Sequence, residues 1–186
     1  MRPPPETLTA RLVLLRRATP ADAQCLYLAA TDAEVVRFMD WSMPTDPSDT
    51  ESRLRKASAS WDRGSEYQWV ILERDSGECI GTISCRPRGH EADFGYFLGR
   101  KYWGRGLGTD AASAVVAWLE TQPEITRIWA SVDVENVRSR RLLERLGLQL
   151  ERVLPKATLR PNIGGPPRDT AVYAREGRRP AGRISP

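Results

Sequence analysis

The sequence predicts a mixed α/β domain of the α+β type, and three observations lead there. Turn signals at Asp75-Ser76-Gly77 and Pro87-Arg88-Gly89-His90 join three short strand-like runs between Tyr67 and Leu98 into an antiparallel meander. A glycine-rich segment, Gly104-Arg105-Gly106-Leu107-Gly108, then runs directly into a helical pattern. Beyond it helix and strand patterns alternate, which places helices on both faces of one sheet.

Taken in order, Leu8 to Arg17 alternates as a first strand. Thr19 followed by Pro20 reads as a helix entry, and Cys25, Leu26 and Ala29 form one stripe of a helix over 21–30. A short helix over Asp32 to Met39 and a loop at Met43-Pro44-Thr45-Asp46-Pro47 follow. Ser48 to Trp61 is helical, with Leu54, Ala57 and Trp61 in register. Strands are expected at Tyr67–Arg74, Glu78–Arg86 and Ala92–Leu98, then a helix at Asp110–Glu120. Strand Arg127–Val132, helix Val137–Arg145 and strands Leu148–Leu154 and Thr170–Arg175 complete the pattern. Between the last two, Pro155 to Arg168 carries Pro161, Gly164, Gly165, Pro166 and Pro167 and reads as a loop beside a cleft. The organisation expected is an N-terminal extension over 1–7, one domain over 8–176 and a flexible C-terminal tail over 177–186.

Composition narrows the classes. The chain of 186 residues is 40% hydrophobic and 28% charged, as ordinary globular proteins are. No apolar run approaches the roughly 20 residues that span a bilayer, and Met1-Arg2-Pro3-Pro4-Pro5-Glu6 lacks the apolar core of a signal peptide. A cytoplasmic protein without a membrane partner is therefore expected. Cys25, Cys79 and Cys85 are an odd set with no CxxC spacing, so buried thiols are expected rather than a disulfide framework or a metal site. Cys79 and Cys85 fall on one face if their strand is unbulged. The net charge of +4 comes from arginines scattered from Arg11 to Arg183, a solvated surface rather than a nucleic-acid face, with a local role near the glycine segment.

Glycines before a helix make an anion cradle, because the first turn leaves backbone N–H groups unpaired at the positive end of the dipole. A P-loop is excluded, since Gly108 is followed by Thr109-Asp110 rather than Lys-Ser. A dinucleotide fingerprint counted from Gly106 needs glycine where Ala111 stands, and its loop follows a first parallel strand, not a meander.

The segment in its context resembles the acetyl-CoA signature of the GNAT acyltransferase superfamily, Gln/Arg-x-x-Gly-x-Gly/Ala. Gly106 and Gly108 fill its last positions, and Trp103 stands in place of Gln/Arg. That departure is shared by the branch resembling the ribosomal-protein alanine N-acetyltransferases. Further marks of that branch are Thr9-Ala10-Arg11-Leu12-Val13-Leu14, Asp93-Phe94-Gly95-Tyr96-Phe97-Leu98, Asn136-Val137-Arg138-Ser139 and Leu143-Glu144-Arg145-Leu146-Gly147-Leu148. Together they span roughly residues 8 to 176.

The resemblance implies a mixed, mostly antiparallel sheet of about seven strands, bulged in the fourth and splayed between the fourth and fifth. An amide-bearing arm of acetyl-CoA would pair there with main-chain groups of Phe97 and Leu98. Gly104, Arg105, Gly106, Leu107, Gly108 and Thr109 would hold its pyrophosphate. Asn136 is either a plain helix cap or a coenzyme contact, the two being compatible, and Ser139 faces the same side one turn on. Arg138, Arg140 and Arg141 are either near the 3′-phosphate or simply exposed. Asp93 occupies the strand position where relatives often carry glutamate. One methylene shorter, it is either a general base, acting through a water, or an ordinary strand carboxylate. Leu143 stands where many relatives have a tyrosine acid, which leaves Ser139 as the hydroxyl nearest the departing sulfur. His90 is expected to face solvent. Phe38, Met39, Trp41 and Trp61 match the acceptor wall, although helical aromatics often serve packing alone.

The function implied is transfer of an acetyl group from acetyl-CoA to a primary amine by direct attack, with no metal. The favoured acceptor is a protein or peptide N-terminal amine. A small-molecule amine such as an antibiotic or polyamine, a non-catalytic acetyl-CoA sensor, and a basic ribosome-associated protein are the rivals. A monomer or homodimer is expected.

Overall fold

Thr7–Thr9 (β1) and Val13–Arg17 (β2) fold back on each other as an antiparallel pair. The alternating run expected as one strand is therefore two, and the sheet has eight strands rather than about seven. The chain reverses where the Ala10 N–H donates to the Val13 carbonyl at 3.0 Å. The computed structural model describes residues 1–177; the expected C-terminal tail lies, apart from Gly177, outside the described residues.

A single 3₁₀ turn at Pro20–Asp22 leads into α1, Ala23–Ala30. Next come α2, only Ala33–Val36, and α3, Pro47–Asp62. Pro47, expected in the loop, opens α3 because Asp46 caps it, accepting from the Ser48 N–H at 2.8 Å. The meander is β3 (Tyr67–Glu73), β4 (Cys79–Arg88) and β5 (Glu91–Leu98). Then follow α4 (Leu107–Glu120), β6 (Arg127–Asp133), α5 (Val137–Arg145), β7 (Gln149–Thr158) and β8 (Arg168–Glu176). The first part of the segment expected as a loop is thus strand, and the irregular stretch is confined to residues 159–167.

The strands lie in the order β1-β2-β3-β4-β5-β6-β8-β7, antiparallel throughout except between β5 and β6. On one face the helices α4 and α5 bury Ala111, Val115, Leu119, Leu142 and Leu143 against Ile71, Ile83, Phe94 and Ile128. On the other, α1 and α3 press Leu26 and Leu54 onto Val70. Alternation of β3 puts Val70 and Ile71 on opposite faces, so the sheet is covered on both sides, as the pattern predicts.

The pairing of β3 with β4 shifts register between Ile71 and Leu72, leaving Ile80 as an extra residue. This bulge reverses the alternation. Cys79 packs with the α1 face, whereas Cys85 lies in the opposite core. The expectation of three thiols is corrected at the same point. Cys79 meets Cys25 of α1 in a disulfide, with Cα atoms 6.2 Å apart, and Cys85 alone is free. Burial pushes the Cys85 thiol pKa upward, so it is not a reactive thiolate. Gly81, next to the bulge, allows β4 and β5 to approach closely. A Cβ there would sit 2.1 Å from the Phe97 carbonyl oxygen.

Thiol titration tests this arrangement. The folded protein should expose no reactive thiol, unfolding without reductant should release one, and unfolding with reduction should release three. Three thiols before reduction would restore the expectation from sequence.

Candidate active site

The site begins where the sheet comes apart. β5 pairs with β6 only through Glu91–Arg127, Ala92–Ile128 and Asp93–Trp129. Past Asp93, β5 keeps its bonds to β4 and β6 its bonds to β8, and a gap opens between them. These are the fourth and fifth strands of the sequence pattern, renumbered by the division of the first.

On one side of the gap lies a cleft of about 700 Å³. Phe97 and Leu98 of β5, the loop residues Trp103, Gly104 and Gly106, and Leu107, Gly108 and Thr109 of α4 line it, with Asn136 and Ser139. Gly106 is the residue before α4 and has φ +81°, and Gly104 has φ +76°, conformations in which a side chain is strained. These two turns lead into the first turn of α4, whose residues line the cleft and whose first N–H groups have no partners within the helix. Gly108 packs closely, since a Cβ would lie 3.1 Å from Leu98 and 3.3 Å from Leu142.

Arg105 is not brought to the cleft. Its guanidinium bonds the buried Glu73 carboxylate, which also accepts from the Ser76 hydroxyl at 2.9 Å. The role left to it in the loop belongs to its main chain. Asp110, in the first turn of α4, accepts from the N–H groups of Leu12 at 2.6 Å and Val13 at 3.2 Å, fixing the helix start to the β1–β2 turn. Trp103 donates its indole N–H to the Leu98 carbonyl at 2.9 Å, and Arg138 lies 4.3 Å above its ring. Arg138, Arg141 and Arg145 line the cleft and make it cationic. Arg140 does not, being bound to the Tyr173 hydroxyl and the Val134 carbonyl.

On the other side is a cavity of about 450 Å³, lined by Phe38, Met39 and Trp41, by α3, and by Asp93, Ser139 and Arg160. Trp61 is not there. It is buried in an aromatic cluster, its ring 5.1 Å from both Tyr67 and Trp69, because the last turn of α3 rolls it into the core. The two cavities share Phe38, Met39, Tyr96, Phe97, Asn136 and Ser139. His90 is exposed, with Nδ1 3.1 Å from the Glu124 carbonyl.

At that junction Asn136 caps α5, its Oδ1 accepting from the Ser139 N–H at 3.2 Å. The Ser139 hydroxyl lies 3.3 Å from that of Tyr96. Burial holds the Tyr96 phenol above its ordinary range, against the bond to Ser139, so it stays protonated at neutral pH. Tyr96 was not singled out from the sequence. The signal was present: two-residue alternation places it with Phe94 and Leu98 on the α4–α5 face. Asp93 is 7% exposed, and its Oδ2 takes both Nε, at 2.9 Å, and Nη2 of Arg86. Arg86 also faces Glu66 at 3.6 Å. Burial lowers the Arg86 pKa, but the Asp93 hydrogen bond and the nearby carboxylates outweigh it and hold it high.

At the far end Asp133, 1% exposed, accepts from Arg168 Nε at 2.8 Å and the Glu135 N–H at 3.0 Å. No group of three or more potential metal ligands occurs among the described residues, and no helix among them is long and apolar enough to cross a membrane.

Comparison with known proteins adds three findings. The acetyltransferase (GNAT) domain family matches residues 12–149. The uncharacterized N-acetyltransferase p20 of Bacillus licheniformis is 30% identical over 152 residues, covering 80% of this chain and 85% of that protein. A structure described as RimL, a ribosomal L7/L12 alpha-N-protein acetyltransferase in complex with coenzyme A, superposes with a TM-score of 0.83. That superposition covers 92% of this chain and 98% of the other at 20% identity.

The Asp133 cluster carries a pH prediction. Burial alone would raise the carboxyl, but hydrogen bonds from Arg168 and the Glu135 N–H, with the Arg168 and Arg160 charges, hold it below the usual aspartate range. A depressed folded pKa contributes stability that is present above the unfolded value, about 4, and lost as pH falls through the folded one. Denaturant midpoints of wild type and Asp133→Asn should therefore differ most at neutral pH and converge on acidification below about pH 4. A difference independent of pH would refute this.

Proposed function

The chain belongs to the GNAT acetyltransferase family and is an acyltransferase, and we propose that it carries acetyl groups from acetyl-CoA to N-terminal amines of proteins or peptides. The observation that carries the reading is the meeting of two cavities at Tyr96, Phe97, Asn136 and Ser139, beside a strand edge left free by its neighbour. Acyl transfer needs a donor and an acceptor that approach from different sides and touch at one point.

The donor fits the larger cleft. Main-chain N–H groups over Gly104–Thr109 suit a pyrophosphate, Arg138, Arg141 and Arg145 suit a further phosphate, and the free edge of β5 suits an amide-bearing arm. The protein described as RimL has coenzyme A bound. Acetyl-CoA supplies a thioester that a neutral amine attacks directly. Ser139 donates a hydrogen bond toward the departing sulfur, with the Tyr96 phenol behind it as a second donor. Asp93 orients the amine or a water through Oδ1, the oxygen Arg86 leaves free.

A protein substrate is favoured by the relatives' descriptions. The Escherichia coli [ribosomal protein uS5]-alanine N-acetyltransferase is 31% identical over 109 residues, covering 56% of each chain.

Acetyl-CoA, but not ATP or NAD, should raise the unfolding midpoint, since selective binding stabilises by mass action. Thiol release should then appear with N-terminal peptides. No stabilisation at millimolar acetyl-CoA would overturn the donor assignment. Asp93→Asn should lower turnover by about a hundredfold and Ser139→Ala by about tenfold, with the acetyl-CoA shift retained. Wild-type turnover in both would remove the two residues from the mechanism.

A further inference from the structure

The smaller cavity contains a donor that the fold itself leaves without a hydrogen bond. Arg160 is 7% exposed and lines this cavity, and its buried Nε has no hydrogen-bond partner among the described residues. Its neighbour Asp133 is 3.6 Å away but is already satisfied by Arg168 and the Glu135 N–H. Burial lowers the Arg160 pKa, against the charges of Asp133 and Asp40. A buried N–H of a guanidinium left without a hydrogen bond is unfavourable unless something else supplies an acceptor oxygen.

The position of this arginine is built. The turn after Arg160 is closed by bonds from the Ile163 and Gly164 N–H groups to the Arg160 carbonyl, at 2.9 and 3.0 Å. Asn162 then clamps the turn to the opposite wall. Its Nδ2 donates to the carbonyls of Val36 and Trp41 at 2.7 and 2.9 Å, and its Oδ1 accepts from the Met43 N–H at 2.8 Å. Three bonds from one side chain thus hold the irregular segment over the cavity.

The rest of the lining is mixed in sign. Asp93 and Glu66 face Arg86, and Asp133 is held by Arg168. Arg53 and Lys56, at the exposed rim, have no ion pair among the described residues, against one unpaired carboxylate, Asp40. Four carboxylates balance four cationic side chains along the lining, so it is the unpartnered Nε of Arg160, not a net charge, that favours an anion.

We propose that Arg160 is the specificity-determining residue of the acceptor site and that it takes a carboxylate carried by the acceptor close to its reacting amine. This rests on reading the smaller cavity as the acceptor site. The carboxylate belongs to an acidic residue next to a peptide N-terminus or to a free acidic amino acid. Both present the same oxygens to the guanidinium.

The test is calorimetric, so that it does not depend on turnover. Protein saturated with coenzyme A is titrated with two tetrapeptides that differ only in aspartate or asparagine at the second position, and with free aspartate. The aspartate peptide should bind at least about tenfold tighter than its asparagine counterpart, the range of a charge-assisted hydrogen bond. Arg160→Gln should abolish that ratio and Arg160→Lys should keep part of it. The Arg160→Gln unfolding midpoint should fall only slightly, because Asp133 keeps its bonds from Arg168 and the Glu135 N–H. Free aspartate bound as tightly as the peptide assigns the site to a small acid, and weaker binding assigns it to a peptide. Equal affinity for the two peptides, no binding of either, or a ratio that survives Arg160→Gln would overturn the proposal. Acidic selectivity in binding with no acetylation of any amine would instead overturn the acyl-transfer reading.

Discussion

β5 and β6 run parallel for three residue pairs and then part, and both cavities depend on that separation. Main-chain N–H and C=O groups in a sheet interior ordinarily find partners on either side. Here the last five residues of β5 bond on the β4 side only, and the end of β6 bonds on the β8 side only. Gly81 helps to draw them apart. Without a side chain at that point, β4 lies close against Phe97 and Leu98 and holds the end of β5 on its own side. The bulge at Ile80 adds to the same bend. Helices α4 and α5 then bring their N-terminal turns to the opening.

A loop that binds through its main chain is useful only if that main chain is fixed before the ligand arrives. Three contacts from distant parts of the chain do so. Asp110 ties the first turn of α4 to the β1–β2 turn, Arg105 is held by Glu73 on β3, and Trp103 is bonded to the end of β5. The last explains the aromatic residue in a position where the common signature has a polar one. The indole N–H supplies a donor to the Leu98 carbonyl, and its face receives Arg138. The loop is thereby joined to the strand edge beside it.

What was legible in the sequence follows from how each half of the site is made. The donor half uses backbone geometry, and backbone geometry leaves marks that are local: Gly104 and Gly106 at positive φ, and Asn136 capping a helix. Alternation and turn residues likewise gave the meander and its continuation. The failures share a cause. The split of the first strand, the length of β7 and the burial of Trp61 are decided by strand pairing and side-chain packing that the period of a pattern does not encode. The disulfide is of the same kind, because a one-residue bulge turned Cys79 toward α1, and no spacing rule shows a bulge. An isolated glycine within a strand pattern does signal a bulge or a close approach, and Gly81 stood there.

The acceptor half is made by side chains from β5, β6, the segments 38–41 and 50–60, and the turn at Arg160, held by Asn162. Its energetics set it apart from the core around it. Replacing a buried ion pair by apolar residues is often neutral or stabilising, so stability alone seldom accounts for such groups. Asp133 has hydrogen bonds enough without Arg160, and Arg160 has none at its Nε. The desolvation of that guanidinium is therefore only partly offset within the folded protein, by the Asp133 charge 3.6 Å away. Strain and unsatisfied charge of this sort concentrate at binding sites, where the stabilising partner arrives with the ligand. The same reasoning separates Arg160 from Arg86, whose charge is neutralised by Asp93 and Glu66. A ligand anion entering the cavity would gain little at Arg86, and it would meet at Arg160 a buried Nε without a hydrogen-bond partner, on a turn held in place by Asn162.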